Sequence, residues 1–502
     1  MTWFKKHWGI CTVGFLVFLY IAYFSYFTIL RYKTLYASYF DLGIMHQTVY
    51  NTYQAIIRLD PGRFLELTNP YGPAQIKRMA IHNDILLAFI APFYFIHAGP
   101  ETLLVIQTLV LGLGAFAVYG IVREVLRTTP YVTVAGVVFS FAYLMYTPMQ
   151  RANIFEFHAV TLATTFLLCM FYFFLRKRYR TSLVFFALSI LSKEQVALTT
   201  FFFGIYAWYC IRKTVPHGNR SIRPFRYPLA IIAGSLVWFV MSMAVIIPYF
   251  RGGNHFALTY YADFGDSPLR VILGVLKNPV SLAKYIWHID TLRYFLFLLG
   301  PLAFLAFFSP VQLLIATPEF GINLLSNSWN MRNIIYHYTS VLQPFVFIAS
   351  VYGLANAAAF LKKRHVPVRT TMMVLLVALF SSVMVFSYLK GPLPFSREAD
   401  LHPFLYPQKE KADAALWQKT LRNSSLKIAA TGHFAPLFSS RRYFYAFSKN
   451  YGLADYLVLS VDEVYNYPER DVTIPVYEKL QKDARYRLIY KNENTEVYKK
   501  VR

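Results

Sequence analysis

Charge is scarce in this chain of 502 residues: only 15% are Asp, Glu, Lys or Arg, where a soluble protein carries about a quarter. Acidic residues are the scarcest, 25 against 50 Lys and Arg. Cysteine is nearly absent. Cys11, Cys169 and Cys210 all fall inside apolar runs and share no metal-ligand spacing, which excludes a disulfide framework and a finger-type zinc site. The basic excess does not gather into one patch, so the charge gives no footprint for nucleic acid. It lies in short clusters between apolar runs and reads as membrane topology.

What the chain has is hydrophobicity. Apolar and aromatic residues make up 56% of it, and several runs approach or pass the roughly 20 residues needed to cross a bilayer. This is the composition of a polytopic membrane protein. The first run, WGICTVGFLVFLYIAYFSYFTIL, is too long for a signal-peptide core and has no small-residue cleavage site, so a retained helix is expected.

Twelve apolar runs can be counted, near 9–31, 82–97, 102–122, 131–147, 160–175, 181–192, 195–211, 228–249, 292–308, 310–325, 337–361 and 371–389. If all crossed with Lys5 and Lys6 in the cytoplasm, the most basic loop, 212–226, would lie outside, against the positive-inside rule. The second run, HNDILLAFIAPFYFIHAG, opens with His82 and Asp84 and carries Pro92 in its middle. Such a segment suits the interface or a re-entrant path. Removing it leaves about eleven spans with the N-terminus cytoplasmic. The basic loops then fall inside, while Asp41, Asp60, Glu66, Asp84, Glu156, Glu194, Asp263, Asp266 and Asp290 fall outside. No inverted internal repeat of the transporter kind is visible.

The expected fold is therefore mainly α, a transmembrane helix bundle at 1–390 with a first outer loop at 31–101. Past residue 390 the chain turns Pro-rich and then charged, and 391–502 is expected to form a small soluble α/β domain on the outer face. KEKADAALWQKTL has helical spacing; LKIAAT, YFYAF and DYLVLS are strand-like; YRLIYKNENTEVYKK reads as a hairpin turning at Asn492–Asn494.

The candidate site is on the outer side. In YFDLGIMHQTVYNT, Leu42, Met45, Val49, Tyr53, Ile56 and Ile57 recur at steps of three and four, which predicts an amphipathic interfacial helix. Asp41 opens it, either as a helix N-cap or as a functional carboxylate. Other outer loops supply Arg151, Glu156 and His158, then Lys193 and Glu194, then His82 and Asp84, then Arg332 and His337. Ionisable residues at membrane depth pair with one another, for instance Lys193 with Glu156, or line a functional cavity. A carboxylate there suits general-base work, and Arg or Lys suits a leaving phosphate.

FDLGIMHQTVYNT, HNDILLAFIAPFYFI, NIFEFHAVTLATTFLL, LSKEQVAL, PEFGINLLSNSWNMRNIIYHYTSVLQPFVFIASVYGLA and TGHFAPLFSSRRYFYAF, in that order, resemble the prokaryotic membrane-protein family called domain of unknown function 2079. Its architecture is similar to the GT-C glycosyltransferases, which use polyprenyl-phosphate sugars at the outer membrane face. That resemblance implies Asp41 as general base and Glu156 with His158 as a second-loop site. It implies Lys193, Arg332 or Arg151 as phosphate binders; Glu194, His337, His82 and Asp84, from the same charged loops, are the further candidates for substrate binding. The chain departs from the commoner pattern of adjacent first-loop acids, because Leu42 follows Asp41. No cofactor is certain. Some GT-C enzymes use a divalent metal, for which His46, His82, Glu156 and His158 are the candidates. The expected partners are a polyprenyl-phosphate sugar donor and membrane lipids, with no nucleic acid. The other readings are a transporter or flippase and a non-catalytic envelope assembly protein.

Overall fold

The structure is a computed structural model describing residues 2–215, 223–466 and 470–501. Residues 216–222 of the basic loop lie outside that set. Five helices are long and apolar enough to cross a membrane: His7–Lys33, Pro100–Val125, Arg226–Arg251, Gln343–Lys363 and Val368–Lys390. A sixth crossing arises if Val132–Leu144 and Thr147–Ile154, bent by 40° at their junction, act as one span. Pro148, in the first turn after the bend, explains the break.

Of the other expected spans, 195–211 is a continuous helix of 19 residues, Val196–Thr214, and the rest form shorter pieces among the described residues. Ala159–Leu175 has 17 residues and Tyr179–Ile190 has 12. The runs at 292–308 and 310–325 break into Ile289–Leu299, Pro310–Leu313 and Thr317–Leu324. Pro301, Pro310 and Pro318 interrupt the ladder there, and Ala303 and Phe304 both take positive φ. Broken backbone at membrane depth is stable only where protein or a cavity satisfies it. The second apolar run does not form a long helix. It is a short helix, Leu86–Ile90, tightened at Ala91–Phe95, where Pro92 falls.

The bundle packs around large aromatics. Phe139, Tyr143, Tyr146, Phe171, Phe203, Phe345 and Phe347 are all fully buried. The Gln343–Lys363 helix lies in the middle, and its first nine residues are all buried.

The loop after the first helix carries a π-helical turn, Tyr39–Gly43, running into the helix Ile44–Arg58. A two-stranded hairpin follows, β1 (Glu66–Thr68) against β2 (Gln75–Lys77). The C-terminal unit is a five-stranded sheet of β3 (Ile428–Ala430), β4 (Phe444–Ala446), β5 (Tyr456–Ser460), β6 (Tyr486–Asn492) and β7 (Thr495–Lys500). The order is β4-β3-β5-β7-β6, with β4, β3 and β5 parallel and the last two strands an antiparallel hairpin. Alternation along β5 shows why its sequence is continuously apolar. Leu457 and Leu459 face one core with Tyr477 and Leu480, whereas Val458 faces another.

That second core is shared with the loop after the first helix: Leu35, Tyr39, Ile44 and Leu67 pack with Ile428, Phe438, Phe444 and Val458. Polar contacts seal the junction. Arg442 grips the buried Glu66 carboxylate through two nitrogens, at 2.9 and 3.1 Å. Gln47 donates to the carbonyls of Arg441 and Arg442. The segment that carries Asp41 is thus clamped between the bundle and the C-terminal unit.

Candidate functional site

Asp41 does not cap a helix. It sits inside the π turn, where no side chain supplies the N-terminal cap. The donors of this turn are taken instead by Glu156, from the loop between Thr147–Ile154 and Ala159–Leu175. Its Oε1 accepts from Ser38 N–H at 2.8 Å and its Oε2 from Leu42 N–H at 2.7 Å. The turn therefore wraps round a buried carboxylate, and this is why the chain can coil loosely there. Gly43 belongs to the same construction, because a Cβ on it would meet the Tyr39 ring at 2.8 Å.

Glu156 itself has φ of 115°, a region that disfavours any residue with a Cβ. Its backbone is held by Gln107 of the Pro100–Val125 helix. The Gln107 amide donates to the Glu156 and Asn153 carbonyls, and its oxygen accepts from His158 N–H. His158 is thereby aimed at Asp41, and its Nε2 lies 2.9 Å from Asp41 Oδ1. The opposite face of His158 stacks on His337, with ring centroids 3.7 Å apart. Burial, with His158 adding repulsion, holds the His337 pKa well below its usual range, so this ring is neutral. Asp41 keeps Oδ2 without a hydrogen bond among the described residues.

These groups line a cavity of about 810 Å³ that also takes in His82, Asp84, Lys193, Glu194 and Arg251. Asp84 is locked by Arg78 through three hydrogen bonds of 2.8 to 3.0 Å. Glu194 accepts from Asn83 N–H at 2.9 Å and meets both His82 Nδ1 at 2.8 Å and His255 Nε2 at 3.1 Å. Burial, then repulsion from Lys193, pulls the His82 pKa down to about 3 against the attraction of Glu194. A neutral His82 must then donate from Nδ1, which leaves its Nε2 lone pair free to accept.

Lys193 differs from its neighbours. It is 8% exposed, and among the described residues its ammonium makes neither a hydrogen bond nor a salt bridge. A buried, unpaired lysine is costly unless something else brings an anion to it. Arg251, also on the wall, makes one long contact to the Ala80 carbonyl and lies over the Phe256 ring.

His82, Glu194 and His255 offer ligand atoms within 4.8 Å of one another, the spacing of a metal site. The tautomer opposes that use. His255 Nδ1 accepts the Ala257 N–H at 2.9 Å, so Nε2 carries the proton and donates to Glu194. A metal on that nitrogen would have to break this arrangement, and the trio fits a hydrogen-bonded carboxylate better than a metal centre. Of the remaining metal candidates, His46 is held at both nitrogens, by the Tyr94 and Ser440 hydroxyls at 2.7 Å each. Glu156 and His158 are engaged as described above.

The family pattern of the predicted membrane proteins named DUF2079 matches residues 31–497. The chain belongs to that family. No curated protein matches it in sequence. In fold it is similar to the Archaeoglobus fulgidus oligosaccharyltransferase in the apo form, at 12% identity and a TM-score of 0.43, over 92% of this chain and 71% of that one. It is also similar to ArnT from Cupriavidus metallidurans in the apo state, at 12% identity and a TM-score of 0.48, over 91% of this chain and 93% of that one.

The residues singled out in this DUF2079 sequence divide into three sets. Asp41, His82, Asp84, His158, Lys193, Glu194 and His337 converge on the main cavity. Glu156 stands behind Asp41 and is spent on the backbone. The expected Lys193–Glu156 ion pair is not formed. Arg151 and Arg332 lie elsewhere, on a smaller cavity of about 250 Å³. Arg151 donates to the carbonyls of Lys390, Gly391 and Glu398, and Arg332 to that of Ser326. Sequence reasoning missed Arg78, Gln107, Arg251 and His255. The only hint was a single polar residue in otherwise apolar surroundings at Gln107.

Burial, then the neighbouring Asp41 charge, pushes the Glu156 carboxyl well above its usual range, against the pull of the two N–H donors. The native state then holds a proton that the unfolded chain releases near the ordinary 4.5. Stability is full below that pH and falls as pH rises toward the raised native value. Thermal unfolding in detergent across pH is expected to show this decline in the wild type and a flatter curve in Glu156→Gln. Parallel curves would contradict the assignment.

Proposed function

We propose that the protein transfers a sugar from a polyprenyl-phosphate donor to an acceptor hydroxyl at the outer face of the membrane. One observation carries the reading. A single cavity joins a carboxylate oriented by a histidine, Asp41, with a buried cation, Lys193, that makes no hydrogen bond or salt bridge among the described residues. Those are the two groups that glycosyl transfer from a phosphate needs.

In this reading the acceptor oxygen attacks the anomeric carbon while Asp41 Oδ2 takes its proton as general base. The carbon–oxygen bond to the phosphate breaks, and polyprenyl phosphate leaves with the electron pair. Lys193, with Arg251, meets the charge that develops on it. His158 fixes the Asp41 carboxylate through Oδ1, and Glu156 fixes the turn that bears it, as a positioning residue. His82 accepts a hydrogen bond from a sugar hydroxyl through Nε2. No step calls on a metal.

The test is release of polyprenyl phosphate from a panel of labelled polyprenyl-phosphate sugars by the protein in lipid nanodiscs. Turnover of at least one donor, retained in EDTA, is expected. Absence of turnover across hexoses and pentoses would overturn the reading in favour of transport or assembly. Turnover that disappears in EDTA and returns with a divalent ion would overturn the metal-free mechanism.

A further inference from the structure

A second cavity, of about 260 Å³, lies where the three parallel strands of the C-terminal unit end. The chain leaves β3 for β4 on one side, then returns past β3 to β5 on the other. In open α/β sheets that reversal, at the carboxyl ends of the strands, is where ligands bind.

The chemistry of this crevice is specific. In doubly wound sheets, the N–H groups that follow such a strand commonly hold a phosphate. Here they are already engaged. His433 N–H donates to both oxygens of Glu463, at 3.1 and 3.2 Å, and Glu463 is 8% exposed. The Glu463 carboxyl thus occupies the position that an anion would take. What binds beside a buried carboxylate is a donor, such as a hydroxyl. Ser448, Lys449 and Asn450 add polar groups, and the rings of Phe447, Phe40 and Tyr71 add apolar faces. The volume suits one sugar ring rather than a drug-sized ligand, for which roughly 300–1,000 Å³ is usual.

The crevice also abuts the main cavity. Phe40 and Tyr71 line both, with ring centroids 5.8 Å apart, and they form the partition between them. Asp41 is the next residue along the chain from Phe40 and lines only the main cavity.

We propose that this crevice binds the acceptor as a neutral, hydroxyl-bearing saccharide, which hydrogen-bonds to Glu463 and presents its reacting hydroxyl past the Phe40–Tyr71 partition to Asp41. The inference deepens the glycosyl-transfer reading and rests on it for the direction of the reaction. Binding in the crevice can be measured without turnover.

The experiment is saturation-transfer NMR on the full chain in nanodiscs, using the methyl glycosides of glucose, mannose and galactose, with glucose 6-phosphate as the anionic comparison. Saturation transfer to at least one methyl glycoside is expected, and the part of the signal that depends on the crevice should be weaker for the phosphate ester. The signal should be lost in Glu463→Gln and also in Ser448→Trp, which fills the crevice without disturbing the carboxylate. It should persist in Asp41→Asn. No transfer to any neutral glycoside, transfer unchanged in both crevice variants, or a crevice-dependent preference for the phosphate ester would overturn the proposal. Glycoside binding without donor turnover would leave the saccharide site standing and remove the transferase reading. Turnover without glycoside binding would do the reverse.

Discussion

Asp41→Asn is expected to lower donor turnover by about 10²- to 10⁴-fold, the usual contribution of a positioned general base. Asparagine keeps the size and an oxygen for the His158 N–H, so the turn held by Glu156 should stay folded and the melting temperature should change little. The loss should fall on kcat, because the group acts on the proton transferred during attack rather than on donor binding. His158→Phe, which retains the ring stack on His337 but removes the hydrogen bond to Asp41, should show a smaller loss of kcat. If Asp41→Asn and wild type turn over equally, the carboxylate is not the base. Among the acids that line the cavity, attention would then pass to Glu194, since Asp84 is consumed by Arg78.

The second large effect concerns Lys193, and it has two opposite signs. Lys193 is only 8% exposed and makes no hydrogen bond or salt bridge among the described residues, a placement that weakens the fold. Lys193→Met should therefore raise stability, by about 1–2 kcal/mol on the scale of repaired buried polar groups. The same substitution should lower kcat/KM for the donor by roughly 10²-fold, the order expected for removing one stabiliser of developing charge. Few structural lysines behave this way, because a lysine that serves packing or an ion pair costs stability when removed. Thermal unfolding and donor kinetics on one preparation test both halves. A fall in stability with unchanged kinetics would identify Lys193 as structural and take the phosphate site away from this cavity.

Much of the architecture was legible from local signals. Pro92 and the opening His82 and Asp84 marked a segment that does not form a long helix, and the structure has a short helix there. The strand-like runs after residue 426 and the final hairpin follow from alternation and a polar turn, and they appear as β3 to β7. The count of spans was less legible. Runs near 300 and 315 are apolar enough, but proline and positive φ break them, and hydropathy averages over such breaks.

The site divides along the same line. Loops bearing HND, SKE and EFH stood out because charge is rare in this chain, and side chains from all three meet Asp41 in one cavity. What a scarce charge does once it arrives was not readable. Glu156 and Asp41 look alike in sequence, yet one is consumed by two backbone N–H groups and the other keeps an oxygen without a hydrogen bond among the described residues. Arg151 and Arg332 looked like phosphate binders of the same site, but they line a separate cavity, where Arg151 donates to backbone carbonyls at the end of the Val368–Lys390 helix and Arg332 to that of Ser326. His255 gave no signal, since a lone histidine after Gly252 and Gly253 says nothing of Glu194, which lies far away in sequence. Such assignments depend on long-range contacts that periodicity does not carry.

The most direct measurement is a cryo-EM structure of the protein in nanodiscs with a non-hydrolysable polyprenyl-phosphate sugar. The account predicts the phosphate against Lys193 and Arg251, with the anomeric carbon facing Asp41. Density for the donor at Arg151 and Arg332, or anywhere that leaves Asp41 and Lys193 apart from the sugar phosphate, would contradict it.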